Sequence, residues 1–96
     1  MRNYVFRLFV TGGSARSEDA LKNLRRICEE HVAGQYDLSV IDVLEHPQQA
    51  EALKILATPT LIKDGPPPPR RLIGDLSAYM EVVDGLDLQP KAPNTE

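Results

Sequence analysis

The chain has 96 residues, 42% of them hydrophobic and 26% charged, with a formal net charge of −3. A chain of this size is one domain that buries roughly 60–65% of its unfolded surface, so its core is thin and extra stabilisation from self-association is expected. The charge balance argues against nucleic-acid binding, which needs a basic face, and no apolar run approaches the roughly 18–20 residues of a membrane span. Met1-Arg2-Asn3-Tyr4 leads straight into strand-like sequence without a signal-peptide pattern. The one cysteine permits no internal disulfide. A reducing compartment fits that usage, and the cytoplasm is the expected location.

Tyr4 to Val10 is almost continuously apolar and rich in aromatic and β-branched residues, the pattern of a central strand covered on both faces. Thr11-Gly12-Gly13-Ser14 breaks it. Ser17 is the expected N-cap of a helix, with Glu18 and Asp19 where the helix dipole favours carboxylates. Ala20, Leu21, Leu24, Ile27 and Cys28 recur at helical spacing, and Gly34 is a natural stop. Tyr36 to Val43 alternates and then turns apolar, which predicts a second strand. Strand, helix and strand within this length form a right-handed βαβ unit with parallel strands.

Beyond Leu44 the pattern is ambiguous. Pro47 suits the first position of a helix running through Leu53. Ile55 to Thr58 fits either a longer helix or a new strand, and Pro59 stops a helix. Thr60 to Ile62 is strand-like, Asp64-Gly65 signals a turn, and Pro66 to Pro69 predict extended polyproline. Arg70 to Ile73 reads as an edge strand ended by Gly74. Asp75 or Ser77 is the expected cap of a last helix carrying Leu76, Met80, Val83 and Leu86. The same stretch also reads as a strand through Val82-Val83 and Leu86-Asp87-Leu88. Residues 1–88 are expected to form one domain, and residues 89–96, with two prolines and no large apolar side chain, a frayed tail. The order βαβ, helix, hairpin, helix resembles the thioredoxin fold, in which the proline corresponding to Pro59 is cis.

Thiol chemistry in that fold needs a cysteine between the first strand and first helix, where the helix N-terminus lowers the thiol pKa. Residues 11–16 contain none, so Cys28 is read as a small core residue. Cys28 and His31 are three apart, but a structural zinc site needs four ligands and only His46 and carboxylates remain. No serine sits in a nucleophile elbow, and the two histidines lack evident acid/base partners. Gly12-Gly13-Ser14 could cradle an anion, yet the P-loop lysine is missing. No enzyme activity, cofactor or metal is therefore expected. Lys63, Arg70 and Arg71, with Lys54 nearby in sequence, instead suggest a local positive patch beside a proline-stiffened loop. Such a patch would steer and orient an acidic partner surface.

The strings Val40-Ile41-Asp42-Val43-Leu44, His46-Pro47-Gln48 and Lys54-Ile55-Leu56-Ala57-Thr58-Pro59-Thr60-Leu61 resemble the KaiB family. So do Pro66-Pro67-Pro68, Arg70-Arg71, Ile73-Gly74-Asp75-Leu76-Ser77 and Gly85-Leu86-Asp87-Leu88, and the similarity spans residues 4 to 88. The resemblance implies a non-enzymatic protein that binds KaiC, a hexameric ATPase and autokinase, and modulates its phosphorylation in a circadian or related timing system. KaiA and a competing histidine kinase are the further implied partners. A KaiB-like role in stress adaptation without a full clock is one alternative, and a thioredoxin-fold thiol enzyme is the other. The resemblance further implies two packings of one chain, a tetrameric βαββααβ ground state and a thioredoxin-like βαβαββα state that binds KaiC. By motif, Lys54, Lys63, Arg70 and Arg71 become the candidate partner-binding residues, and Gly85 and Asp87 fall in the segment that switches. The chain departs from the family pattern in its fourth proline and in Gln89-Pro90-Lys91 after Leu88.

Overall fold

The computed structural model describes residues 3–88. Tyr4–Val10 forms strand β1, as its apolar run predicts, and the sheet grows outward from it. Ala15–His31 is helix α1 and Tyr36–Asp42 is strand β2, which pairs in parallel with β1 from Tyr4↔Tyr36 to Val10↔Asp42. Helix α2 (Pro47–Ala52), strands β3 (Thr60–Gly65) and β4 (Arg70–Ile73), and helix α3 (Tyr79–Leu86) complete the chain. The strand order is β2-β1-β3-β4, with β3 antiparallel to both β1 and β4. This βαβαββα succession is the thioredoxin-like one of the two expected orders.

Side chains of a strand alternate between the two faces of its sheet. On one face Tyr4, Phe6, Leu8 and Val10 of β1 and Leu61 of β3 join Ala20, Leu24, Ile27 and Cys28 of α1 and Val82 and Leu86 of α3 in a single buried cluster. Phe9, Ile62 and Ala50 are buried outside that cluster. Arg71 belongs to the same face as Phe9 by register, and it donates to the carbonyls of Leu53 and Lys54 just past α2. Helix α2 therefore backs the second face.

The α1 cap differs from expectation. Ser14, with extended φ −81° and ψ 131°, caps the helix and accepts from the Ser17 N–H at 3.3 Å. Ser17 lies buried inside the first turn, and its Oγ accepts the Thr11 N–H at 3.1 Å. Both serines have cap chemistry, and Ala15 and Arg16 are strong enough helix formers to let the helix start at the earlier one.

The second half settles the ambiguous stretches. Pro47 begins α2 as expected, but residues 55–59 are neither helix nor strand. Lys54 turns left-handed at φ 56° and the Ile55 N–H returns to the Ala50 carbonyl at 2.8 Å. The Thr58–Pro59 bond is cis, as expected. Strand β3 runs through the predicted Asp64-Gly65 turn. The reversal falls to Pro66–Pro69, where Gly65–Pro66 and Pro67–Pro68 are cis, so the extended polyproline expectation does not hold. Four residues must join two antiparallel strands, and a continuously extended segment cannot reverse the chain. Neither expected cap serves α3, which starts from Ala78 without a side-chain cap; the Asp75 carboxylate accepts the Ser77 N–H in a local turn. The stretch from Val82 is helical and ends at Asp87 with left-handed φ 55°. The expected tail, residues 89–96, lies outside the described residues.

Ser17→Ala is expected to destabilise more than Ser14→Ala. The former strands the Thr11 N–H, at about 1–3 kcal/mol, whereas loss of a helix cap costs about 1 kcal/mol. Urea denaturation of both variants measures the order.

Candidate functional site

The position that would carry thiol chemistry in this fold is the loop between β1 and α1. Thr11 approaches the Thr58–Pro59 segment there, the two threonine hydroxyls sharing a 2.6 Å hydrogen bond. A Cβ on Gly12 would fall 2.4 Å from Asp42 Oδ2, so glycine is what lets the loop pass this carboxylate. A carboxylate against the loop disfavours an anion in it. Cys28 lies fully buried near the end of α1, and burial, helped by Glu29, pushes its thiol up to about 12. That is the reverse of the shift that activates a nucleophilic thiol. His31 does not meet Cys28; its Nε2 lies 2.8 Å from the Tyr79 hydroxyl of α3. Among the described residues no three His, Cys, Asp or Glu side chains are grouped to hold a metal ion.

The four basic residues do not form one patch. Register places Lys63 and Arg70 toward α1 and α3, and Arg71 toward α2. Lys63 is only 1% exposed, a correction to its expected place on the surface. Its Nζ donates to the Leu86 carbonyl at 2.8 Å and sits 5.7 Å from the centre of the Tyr4 ring. Burial lowers its pKa, opposed by the charge of Asp87. Arg70 is exposed on the same side of the edge strand. Arg71 and Lys54 come together on the other side, where the Arg71 guanidinium bonds the Lys54 backbone and the exposed Lys54 side chain is left for solvent.

Beside Lys54 the surface is unexpectedly apolar. Val43, Pro47, Ala50, Ile55 and Leu56 line an open groove with Glu51 and Lys54 at its rim. Leu56 is 93% exposed and Leu44 71% exposed. The sequence reading missed both leucines as surface features. The available signal was that each stands in a short stretch bounded by proline, where no helix or strand face exists to bury it.

A family profile described as the KaiB domain matches residues 7–88. The chain belongs to the KaiB family. It is similar to the circadian clock protein KaiB3 of Synechocystis sp., at 52% identity over 91 residues, covering 95% of this chain and 89% of that one. It is also similar to the circadian clock oscillator protein KaiB of Prochlorococcus marinus, at 56% identity over 87 residues, covering 91% and 73%. Among solved structures, the N-terminal domain of Synechococcus elongatus SasA matches with a TM-score of 0.73 at 24% identity, over 100% of this chain and 91% of that one. Mitochondrial thioredoxin 3 from Saccharomyces cerevisiae matches with a TM-score of 0.71 at 15% identity, over 91% and 79%. These structural likenesses concern the fold, and they place this KaiB-family chain among thioredoxin-like domains. No helix among the described residues is long and apolar enough to cross a membrane.

Groups whose deprotonation the fold opposes tie stability to alkaline pH, Cys28, Tyr36 and Tyr79 among them. Cys28 is joined by Tyr36, whose phenol donates to Glu29 Oε2 at 2.7 Å and is pushed up to about 12, chiefly by that hydrogen bond. Both titrate higher in the folded chain than in the unfolded one, so the unfolded state loses its protons first. Stability is therefore expected to be full below about pH 8.5 and to fall as pH rises toward about 12. Thermal unfolding across that range checks the fall, and Cys28→Ser should flatten its lower part.

Proposed function

We propose that this KaiB-family chain is a non-catalytic regulator that docks on a KaiC-type hexameric ATPase and autokinase and modulates its phosphorylation state in a circadian or related timing system. The observation that carries this reading is the family match across residues 7–88 on a thioredoxin-like fold whose first loop, Thr11–Arg16, has no cysteine. A thiol enzyme would need its nucleophile at the start of α1, and Cys28 stands at the other end, buried and with a raised pKa.

We place the docking surface on the α2 side of the molecule. Leu56, Leu44 and the groove offer apolar area that water otherwise covers, and Lys54 supplies charge for an acidic partner surface. Arg71 shapes this region through its bonds to the Leu53 and Lys54 carbonyls. Arg70, on the opposite face of β4, belongs to a second contact, whereas Lys63 acts from inside. In this proposal the βαβαββα packing is the partner-binding form and βαββααβ a self-associated form, with Gly85 and Asp87 in the changing segment. The double reading of residues 82–88 as strand or helix supports that idea. KaiA recruitment and competition from a histidine kinase with a sensor domain of the same fold belong to the same proposal, as does a cytoplasmic location.

Binding of the full chain to a KaiC-type ring in the presence of ATP provides the test. Lys54→Glu and Leu56→Asp should each weaken capture by at least about tenfold, through like-charge repulsion and desolvation of a carboxylate respectively. Cys28→Ser should bind as the unaltered chain does. Unchanged capture by both α2-side variants would remove the docking surface, and no capture by any form would remove the partner.

A further inference from the structure

Helix α3 has little reason of its own to be helical. It is eight residues long, lacks a side-chain cap, carries Gly85 inside and ends at a left-handed aspartate. An isolated helix of that length does not persist in water. Val82 and Leu86 are buried, and a Cβ on Gly85 would lie 3.0 Å from Leu72 Cδ2 of β4, so the helix sits close on the sheet.

Both ends are held by polar groups from elsewhere in the chain. At the N-terminal end the Tyr79 hydroxyl donates to Glu30 Oε1. A phenol has one proton, so His31 meets the same oxygen with its Nε2–H, at 2.8 Å. The Arg26 guanidinium lies 4.9 Å from the centre of the Tyr79 ring. All three partners come from the C-terminal part of α1. At the other end the Lys63 ammonium, reaching up from β3, donates to the carbonyl of Leu86, the last helical residue. A cation is favoured there by the helix dipole.

We propose that α3 is a releasable strap, closed by the Tyr79 clasp on α1 and by Lys63 beneath its C-terminal end, and that loosening the clasp lifts the strap as a unit and bares the Lys63 ammonium. In the closed chain Lys63 is covered while Lys22 and Lys54 are exposed. The opened chain presents a cation and the apolar surface beneath α3, which the closed chain does not. The inference concerns this chain alone and holds or fails whatever partner it meets.

Pulsed acylation of the full chain with acetic anhydride, read at each lysine by mass spectrometry, tests it. Tyr79→Phe keeps the ring and removes the hydroxyl. It should raise the labelling rate at Lys63 roughly tenfold, the size expected for loss of a hydrogen bond to a carboxylate. Rates at Lys22 and Lys54, and amide exchange in β1 and β2, should stay as they were. Glu30→Gln keeps an acceptor and the packing, and should raise the Lys63 rate by roughly threefold. The proposal is overturned if Lys63 labels at the original rate in both variants. It is equally overturned if Lys63 accelerates only together with amide exchange in β1 and β2, because the opening is then global.

Discussion

Strand β1 pairs in parallel with β2 on one edge and antiparallel with β3 on the other; Tyr4, Phe6, Leu8 and Val10 are buried on one face and Phe9 on the other, where Val5 is exposed and Arg7 partly so. Phe6, Leu8 and Phe9 are wholly removed from water, each contributing about 1.5–3 kcal/mol on full burial. Every other element takes its position from this strand. Helix α1 closes the parallel pair over one face. Strand β3 carries the hairpin, α2 backs the second face, and α3 covers the remaining part of the first.

The two halves of the chain are held by different means. In the first half local sequence and tertiary contact agree, since α1 has its cap, its apolar stripe and seventeen residues of length. In the second half they conflict. Val82, Val83, Asp84 and Gly85 are weak helix formers, each unfavourable by roughly 0.5–1 kcal/mol relative to alanine. Burial of Val82 and Leu86, at about 1.5–3 kcal/mol each, is what offsets that deficit. Bonds from Lys63 and His31 and to Glu30 add fixed points. A helix that exists because of its surroundings is sensitive to any change in them.

This difference also explains what was legible in the sequence. The run Tyr4–Val10 and the heptad-like spacing of Leu24, Ile27 and Cys28 announce their structures because each repeats its signal over several residues. The cap was misplaced because Ser14 and Ser17 carry the same chemistry, and only the position of the Thr11 N–H separates their roles. The polyproline and Ile55–Thr58 stretches were not legible because their paths are set by strands they must connect. The basic cluster misled for a simpler reason. Neighbours in a strand point to opposite faces, so Arg70 and Arg71 part company, and the partner of Lys63 lies at Leu86, far along the chain. Leu44 and Leu56, which the sequence reading passed over, are large apolar side chains left exposed.

A KaiB-family chain built this way has a locally coded βαβ unit and a second half whose shape depends on a few long-range contacts. Native-state hydrogen exchange followed through increasing denaturant addresses that division directly. The account predicts that amides of β1, α1 and β2 exchange only with global unfolding, while those of α3 and β4 exchange through a smaller opening with a shallow denaturant slope. A single opening free energy and a single slope shared by all elements would contradict it.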